Sequence, residues 1–191
     1  MGGMVGALNR KTESGVTLVE LLVILVILAA LAAIAIPAFS VWLPNYRLKS
    51  AARDLYSNFQ LAKMGALNKN QAWAVVLDRA SSPGRYAIVS DPGDNGVWDG
   101  PGGDDVIEKI VDFSRYEGVQ YGHGDAGKPM GSTFGDEITY TSPNNVAVFN
   151  PKGTCNAGYV YFQNKKNRTY AVGTQSSGVI LLRTWRGEKW Q

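Results

Sequence analysis

The hydrophobic pattern along the chain changes twice, and the first region is almost wholly apolar. In the stretch GVTLVELLVILVILAALAAIAIP, from Gly15 to Pro37, Glu20 is the one charged residue. As a helix rising about 1.5 Å per residue, residues 16–43 would extend about 40 Å, which exceeds the about 30 Å hydrocarbon core of a bilayer. This region is therefore predicted to be a transmembrane helix.

The second region has a helical period. Its apolar positions recur at alternating steps of four and three, which predicts an amphipathic helix over 44–70 that packs one narrow face on its own domain. That face comprises Leu48, Ala52, Leu55, Phe59, Ala62 and Ala66. A free coiled coil is the alternative, but coiled coils usually sustain the pattern over about three heptads or more. Pro37 and Pro44 can each kink the helix.

In the third region, 71–191, the period shortens to that of strands separated by Gly, Pro, Asn and Asp. The predicted strands are Trp73–Leu77, Arg85–Val89, Val106–Phe113, Val119–Tyr121, Ile138–Tyr140, Val146–Phe149, Gly158–Gln163, Thr169–Gly173 and Val179–Trp185. Short polar turns join the last three, which predicts an antiparallel meander over 158–185. The expected fold class is α+β, with a long N-terminal helix packed on an antiparallel β-sheet domain.

Composition restricts the chemistry. Cys155 is the one cysteine and His123 the one histidine, so an intramolecular disulfide, a Cys-based zinc cluster and a site with two imidazoles are all excluded. No nucleophile motif surrounds His123, and an enzyme is not expected. The net charge of +3 selects neither nucleic acid nor anionic lipid as a partner. Acidic residues concentrate in 91–112 and basic ones in 152–191, so the domain is expected to be electrically polar.

The acidic stretch SDPGDNGVWDGPGGDD invites a calcium interpretation. Asp91, Asn95 and Asp99 fall at positions one, five and nine of an EF-hand loop, but glycines occupy the third and the last ligand positions. A solvated acidic loop is favoured, because Asp, Asn, Gly and Pro are also the residues that turns require. A weak calcium site is the alternative, and no other cofactor or metal is expected.

The C-terminal segment RTWRGEKWQ interleaves basic and aromatic residues. Arg183, Arg186 and Lys189 stand among two tryptophans, a combination that binds single-stranded nucleic acid through charge and stacking. Three charges are few for that purpose, and tryptophans packed on the domain explain the pattern equally well. DNA is therefore not the expected partner.

Glu20 is unusual because a carboxylate near a membrane interior costs a few kcal/mol or more and normally has a partner. Arg10 and Lys11 precede the apolar run and no basic residue follows it until Arg47, which places the N-terminus in the cytoplasm. The domain that follows is then outside.

The stretch KTESGVTLVELLVILVILAALAAIAIP resembles the N-terminal signature of type IV pilins and type II secretion pseudopilins. The resemblance implies that residues 1–15 are a cytoplasmic leader, that prepilin peptidase cuts between Gly15 and Val16, and that Val16 is then N-methylated. It also implies that Glu20 sets the assembly register by accepting the amine of a neighbouring subunit. Pro37 falls where many family members have a proline that kinks the helix.

The C-terminal part resembles the GspH/FimT group of minor pilins. Phe149, Pro151 and Gly153 match its F-x-P-x-G turn, and Ser177–Gly178 match the Ser-Gly before a basic tail. The resemblance implies a minor pseudopilin at or near the tip of a type II secretion pseudopilus, held in the inner membrane by one span, with its C-terminal domain periplasmic or otherwise extracytoplasmic. Its implied partners are other pseudopilins or pilins, prepilin peptidase, and secreted cargo or the secretin machinery.

Two other functions stay open. The first is a FimT-like minor type IV pilin acting in pilus assembly or DNA uptake, although the Gly-Arg-x-Arg tail of DNA-binding members is replaced by Gly178, Val179, Ile180 and Leu181. The second is a secreted enzyme behind a conventional signal peptide, which predicts a mature N-terminus near Ala38. Sequencing the mature N-terminus separates this last hypothesis from a cut at Gly15.

Overall fold

The computed structural model describes residues 15–140 and 145–191. Arg10, Lys11 and the predicted leader, apart from Gly15, lie outside the described residues. The chain divides into two compact units, Met1–Ser40 and Val41–Gln191.

Helix α1 spans Leu18–Lys69. Residues 15–40 are exposed throughout, although most of them are apolar. In the described part of the chain, α1 is the one helix long and apolar enough to cross a membrane by length and composition. Such a surface requires an apolar environment from outside the chain.

The helix continues through both prolines, Pro37 and Pro44. A proline has no N–H, so each removes one backbone hydrogen bond from the helix. Nearby, the Ser40 hydroxyl donates to the Pro37 carbonyl at 2.8 Å, and the Asn45 amide donates to the Val41 carbonyl at 3.0 Å. Side-chain bonds of this kind often accompany a bend, and the kink at Pro37 stays a prediction.

Within the unit Val41–Gln191, one face of α1 packs on its own domain. All six residues of the predicted apolar face are fully buried: Leu48, Ala52, Leu55, Phe59, Ala62 and Ala66. The Phe59 ring lies edge-on at 5.6 Å from Phe149 and 6.3 Å from Tyr140, measured between centroids. The amphipathic helix predicted from the spacing is confirmed.

Two four-stranded antiparallel sheets form the rest of this unit. Their strands are β1 Trp73–Asp78, β2 Arg85–Asp91, β3 Val106–Asp112, β4 Val119–Tyr121, β5 Val146–Phe149, β6 Gly158–Asn164, β7 Thr169–Thr174 and β8 Ile180–Thr184. The first sheet has the order β3-β2-β1-β5 and the second β4-β6-β7-β8. The predicted meander is confirmed as β6, β7 and β8, and so is the α+β class.

The strand predicted at Ile138–Tyr140 is wrong. This segment makes a single bridge, from Ile138 to Val160. The preceding residue, Glu137, has a φ of 79°, in the left-handed region that extended strands do not use. The Tyr140 side chain is buried, and its hydroxyl lies 2.8 Å from the Thr174 hydroxyl.

The main core lies between α1 and the inner faces of both sheets. The outer face of the first sheet carries a smaller cluster that includes Val76, and Trp98 of the loop over residues 92–105 packs against it. On the second sheet, the outward Tyr161 is contacted by Phe134 and Trp190, with centroids at 5.1 and 5.7 Å. Aromatic loop residues therefore cover both outer faces.

Candidate functional site at the start of the helix

Glu20 occupies the third position of α1, where it caps the helix together with Thr17. The Thr17 hydroxyl oxygen accepts a hydrogen bond from the Glu20 N–H at 3.2 Å. In return, Glu20 Oε2 accepts from the Thr17 N–H at 2.9 Å and from its hydroxyl at 2.8 Å. This reciprocal arrangement is a capping box, which satisfies N–H groups that the start of a helix leaves without partners.

The Thr17–Glu20 spacing is the S/T-x-x-E signature of such a box, so the sequence contained the signal. The sequence reasoning assigned Glu20 a partner in another subunit and missed Thr17. The carboxylate therefore has a structural task inside its own chain, where it also faces the positive end of the helix macrodipole.

The residues around Glu20 are apolar and exposed. Val16, Val19, Val23 and Ile24 line a shallow depression with it. Among the described residues, Glu20 forms no ion pair, and its second oxygen, Oε1, accepts no hydrogen bond. The site therefore offers one unoccupied carboxylate oxygen in an apolar surround, which is an acceptor for a cation.

Gly15 and Val16 precede the helix, lie outside regular secondary structure and are exposed. A Cβ added at Gly15 would meet nothing within 4 Å. Proteolysis concentrates at exposed, irregular backbone of this kind. The peptide bond between the two residues is thus accessible to a peptidase.

The predicted calcium ligands mostly bond their own loop. Asp91 Oδ1 accepts the Gly93 N–H at 2.9 Å, and Asn95 Nδ2 donates to Asp99 Oδ2 at 2.8 Å. Such bonds are those that turn residues make.

The acidic groups that converge are Asp99, Asp104 and Asp105, whose nearest carboxylate oxygens lie within 4.8 Å of one another. Asp91 is not among them. Two of these carboxylates also bond backbone, because Asp104 Oδ2 accepts from Asp94 N–H at 2.8 Å and Asp105 Oδ2 from Gly100 N–H at 2.7 Å. Calcium binding stays a prediction.

The basic groups of the C-terminal segment, Arg183, Arg186 and Lys189, are exposed. The neighbouring tryptophans are engaged with the protein: the rings of Trp185 and Trp190 lie 5.4 Å apart, and the Trp190 indole N–H donates to the Lys128 carbonyl at 2.7 Å. This packing reduces the aromatic surface available for stacking on bases.

The side chains of His123 and Cys155 are both held in contacts within the protein. His123 Nδ1 lies 2.9 and 3.0 Å from the two carboxylate oxygens of Glu137, and its ring stacks on Phe134 at 4.2 Å. This contact joins residues far apart in sequence and could not be read from spacing. The Cys155 thiol is buried and donates to the Gln175 carbonyl, and burial raises the pKa of Cys155, so it stays protonated.

Comparisons with known proteins show what the chain is similar to. The model of a family described as type II transport protein GspH matches residues 51–178, and the model of a prokaryotic N-terminal methylation motif matches residues 10–36. Among solved structures, the minor pseudopilin EpsH from the type 2 secretion system of Vibrio cholerae is similar, with 16% sequence identity and a TM-score of 0.43. That match covers 71% of this chain and 95% of the other. A search of curated proteins gave no match.

Proposed function

The chain belongs to the GspH family of type II transport proteins, and from this membership we propose that it is a minor pseudopilin of a type II secretion system. It is a structural subunit, anchored in a membrane, that assembles with other pseudopilins into a pseudopilus. The observation that carries this conclusion is the family match over residues 51–178, which takes in the buried half of α1 and most of both sheets.

Processing follows the N-terminal methylation motif. Prepilin peptidase removes the leader 1–15 by cutting between Gly15 and Val16, and Val16 is then methylated. The motif match over residues 10–36 and the exposure of Gly15 support this step. The subunit lies in the inner membrane with its N-terminus cytoplasmic and the unit Val41–Gln191 periplasmic.

Assembly uses Glu20 as a register. Cleavage creates a cationic amine at Val16, and Glu20 of one subunit accepts the amine of a neighbour, so that two unfavourable charges become one ion pair. The free Oε1 and the exposed apolar surface of residues 18–40 support this role. We place the subunit at or near the pseudopilus tip. There the unit Val41–Gln191, called the β domain below, meets neighbours, cargo or the secretin machinery.

Substitutions at Glu20 separate the capping task from the register task. Glutamine at the third helical position also completes a capping box, so Glu20→Gln keeps the cap and removes the charge, whereas Glu20→Ala removes both. Thr17→Val is the matched control, because it removes the cap and keeps the carboxylate. Each variant replaces the wild-type subunit in the native host.

We expect every variant to be cleaved and inserted, and both Glu20 variants to lose incorporation into the pseudopilus, measured by cross-linking to other pseudopilins and by export of cargo. Sequencing the mature N-terminus should give methylated Val16. Normal incorporation of Glu20→Gln would remove the register role but leave the capping role. Normal secretion in cells that lack the subunit altogether would contradict the proposed function itself.

A further inference from the structure

A basic cavity lies where the β6–β7 turn meets the segment after β8. Lys166, Arg168 and Arg186 line it, and Asp125 is the acidic residue on its wall. The cavity has a volume of about 630 Å³, large enough for a phosphate group and its substituents. Its charge favours an anion.

A smaller cavity of about 140 Å³ adjoins it and shares Arg168 and Arg186. Its wall also includes Asn45 and Leu48 of α1. The two arginines therefore stand beside the helix, close to where α1 enters the unit Val41–Gln191.

The turn that carries Arg168 is fixed to the helix by Asn164, which is 2% exposed. Asn164 Oδ1 accepts the N–H groups of Lys166 at 2.9 Å and Arg168 at 3.1 Å. Its Nδ2 donates to Asn45 Oδ1 at 3.0 Å. A buried amide with these three bonds holds the β6–β7 turn against α1.

The segment that carries Arg186, on the other side of the cavity, is held by backbone hydrogen bonds. The Trp185 N–H donates to the Thr169 carbonyl at 3.1 Å, and the Arg186 N–H donates to the Lys189 carbonyl at 3.0 Å. The backbone on both sides of the cavity is thus held in place before any ligand arrives, which lowers the entropic cost of binding.

The three basic side chains of this cavity outnumber its one acidic side chain, Asp125. Over residues 15–140 and 145–191, the ion pairs involve Arg47, Arg79, Arg85 and His123, and none involves Lys166, Arg168 or Arg186. Guanidinium groups bind phosphate through paired N–H donors in a planar fork. Phosphate is therefore the chemistry that two unpaired arginines fit best.

The smaller cavity lies beside the part of α1 that follows the predicted membrane span, and this position indicates where a phosphate would come from. The rings of Trp42 and Tyr46 stack at 5.2 Å and are 56% and 54% exposed. Such residues concentrate where a transmembrane segment meets the lipid headgroups. Asn45, on the wall of the smaller cavity, lies between them in sequence and two residues beyond the predicted span 16–43. A membrane span that ends there would put Asn45 near the headgroups.

We propose that Arg168 and Arg186 bind the phosphate of an anionic phospholipid headgroup while the subunit is in the membrane, before assembly. The proposal rests on the proposed function, because it requires a membrane-anchored subunit. A dissolved phosphate offers the same chemistry, but headgroups present it in high concentration at this level of the helix. Lipid contact there would orient the β domain on the membrane surface.

Hydrogen exchange of the full chain in nanodiscs tests the proposal. We compare nanodiscs of phosphatidylcholine alone with nanodiscs that also contain phosphatidylglycerol, and follow the amides of residues 165–168 and 184–187. Exchange should slow about fivefold for each arginine engaged when phosphatidylglycerol is present, since one basic residue near an anionic surface contributes about that factor. High salt should abolish the difference by screening.

The double variant Arg168→Gln with Arg186→Gln should lose this protection. The matched control is Arg53→Gln with Lys152→Gln, which removes the same charge from two exposed positions elsewhere and should keep the protection. Equal exchange of the wild-type chain in both kinds of nanodisc would overturn the proposal. So would protection that needs inorganic phosphate or a single-stranded oligonucleotide and does not respond to phosphatidylglycerol.

Co-elution of the chain with the nanodiscs distinguishes a failure of the lipid site from a failure of the membrane anchor. A chain that inserts and shows no response to phosphatidylglycerol contradicts the lipid site alone. A chain that does not insert contradicts the membrane anchor of the proposed function, and the lipid site with it.

Discussion

The two parts of helix α1 contain similar residues and bury them differently. Leu25 is 57% exposed, whereas Leu55 is fully buried. In residues 18–40 the apolar side chains face all directions, but in residues 48–66 they form one stripe with polar residues between. A stripe is buried by its own domain, whereas an all-round apolar surface needs membrane or other helices. Distribution around the helix, rather than hydrophobic content, decides the partner.

The largest expected difference between the two parts is in stability. Phe59→Ala should lower the free energy of unfolding of the β domain by about 3–5 kcal/mol, because it opens a cavity against Phe149 and Tyr140. Leu25→Ala should leave that free energy unchanged, since more than half of the Leu25 side chain is exposed. Denaturant unfolding in detergent, followed by tryptophan fluorescence, measures both, and a similar loss in the two variants would contradict the comparison.

A smaller effect is expected where Gly65 of α1 lies against Trp73 of β1. A Cβ added at Gly65 would lie 2.5 Å from Trp73 Cδ2, so the helix or the indole must move. Overpacking costs about 1–3 kcal/mol, offset in part by the higher helix propensity of alanine, and we expect Gly65→Ala to destabilise the domain by about 1–2 kcal/mol.

Gly127→Ala is the matched control for this close approach, because its added Cβ would meet its nearest atom at 3.8 Å. It should change the free energy of unfolding by less than about 0.5 kcal/mol. An equal effect of the two substitutions, measured by denaturant unfolding, would show that the close contact at Gly65 is unimportant.

Alkaline pH should also affect the stability of the two parts of α1 differently. Burial, followed by the nearby Asp54 carboxylate, raises the pKa of Tyr86, and burial raises the pKa of Tyr140. The folded state then keeps protons that the unfolded state loses above about pH 10, so stability is complete below that pH and falls above it by about 1.4 kcal/mol per pH unit for each tyrosine. Residues 18–40 contain no tyrosine.

Circular dichroism checks this pH dependence. The near-ultraviolet signal of the β domain should weaken progressively as the pH rises above about 10, while part of the helical far-ultraviolet signal remains. Tyr86→Phe should make the dependence on pH less steep. If both signals were lost together as the pH is raised, the expected difference between the two parts of α1 would be contradicted.

The smallest expected effect is at the start of the helix. Thr17→Val should cost about 1 kcal/mol locally by removing the cap. Amides of the first helical turn should exchange faster with solvent, and the unfolding of the β domain should not change. A shift of domain unfolding would show that the cap is coupled to the core, contrary to the comparison.

The sequence predicted those elements whose period is set by burial. The stripe from Leu48 to Ala66 and the meander β6–β8 alternate with the regularity that a packed face imposes. Ile138–Tyr140 has the composition of a strand, but the backbone turns at Glu137 and the Tyr140 side chain bonds Thr174. Division into two sheets depends on which strands pair, and no local pattern carries that information.

The candidate sites likewise include residues that the local sequence reveals and residues that only the fold brings together. Glu20 was identified because a charge in an apolar run has few explanations, and Thr17 could have been found from its spacing to Glu20. Arg186 was noted in sequence, but Arg168 was not, because only the pairing of β7 with β8 brings their turns together. Contacts of this kind are properties of the fold and not of any segment.

The use of a single oxygen in the helix cap has a consequence for the timing of assembly. Glu20 Oε2 holds the helix end, and within the described residues Oε1 is open. The proposed cut between Gly15 and Val16 would leave Thr17 in the mature chain, so the same cap would serve the precursor and the product. An arriving amine can bind Oε1 without first breaking the bonds to Oε2. In the proposed assembly, docking of a neighbour would then need no local unfolding, and cap formation and docking could be reversed independently.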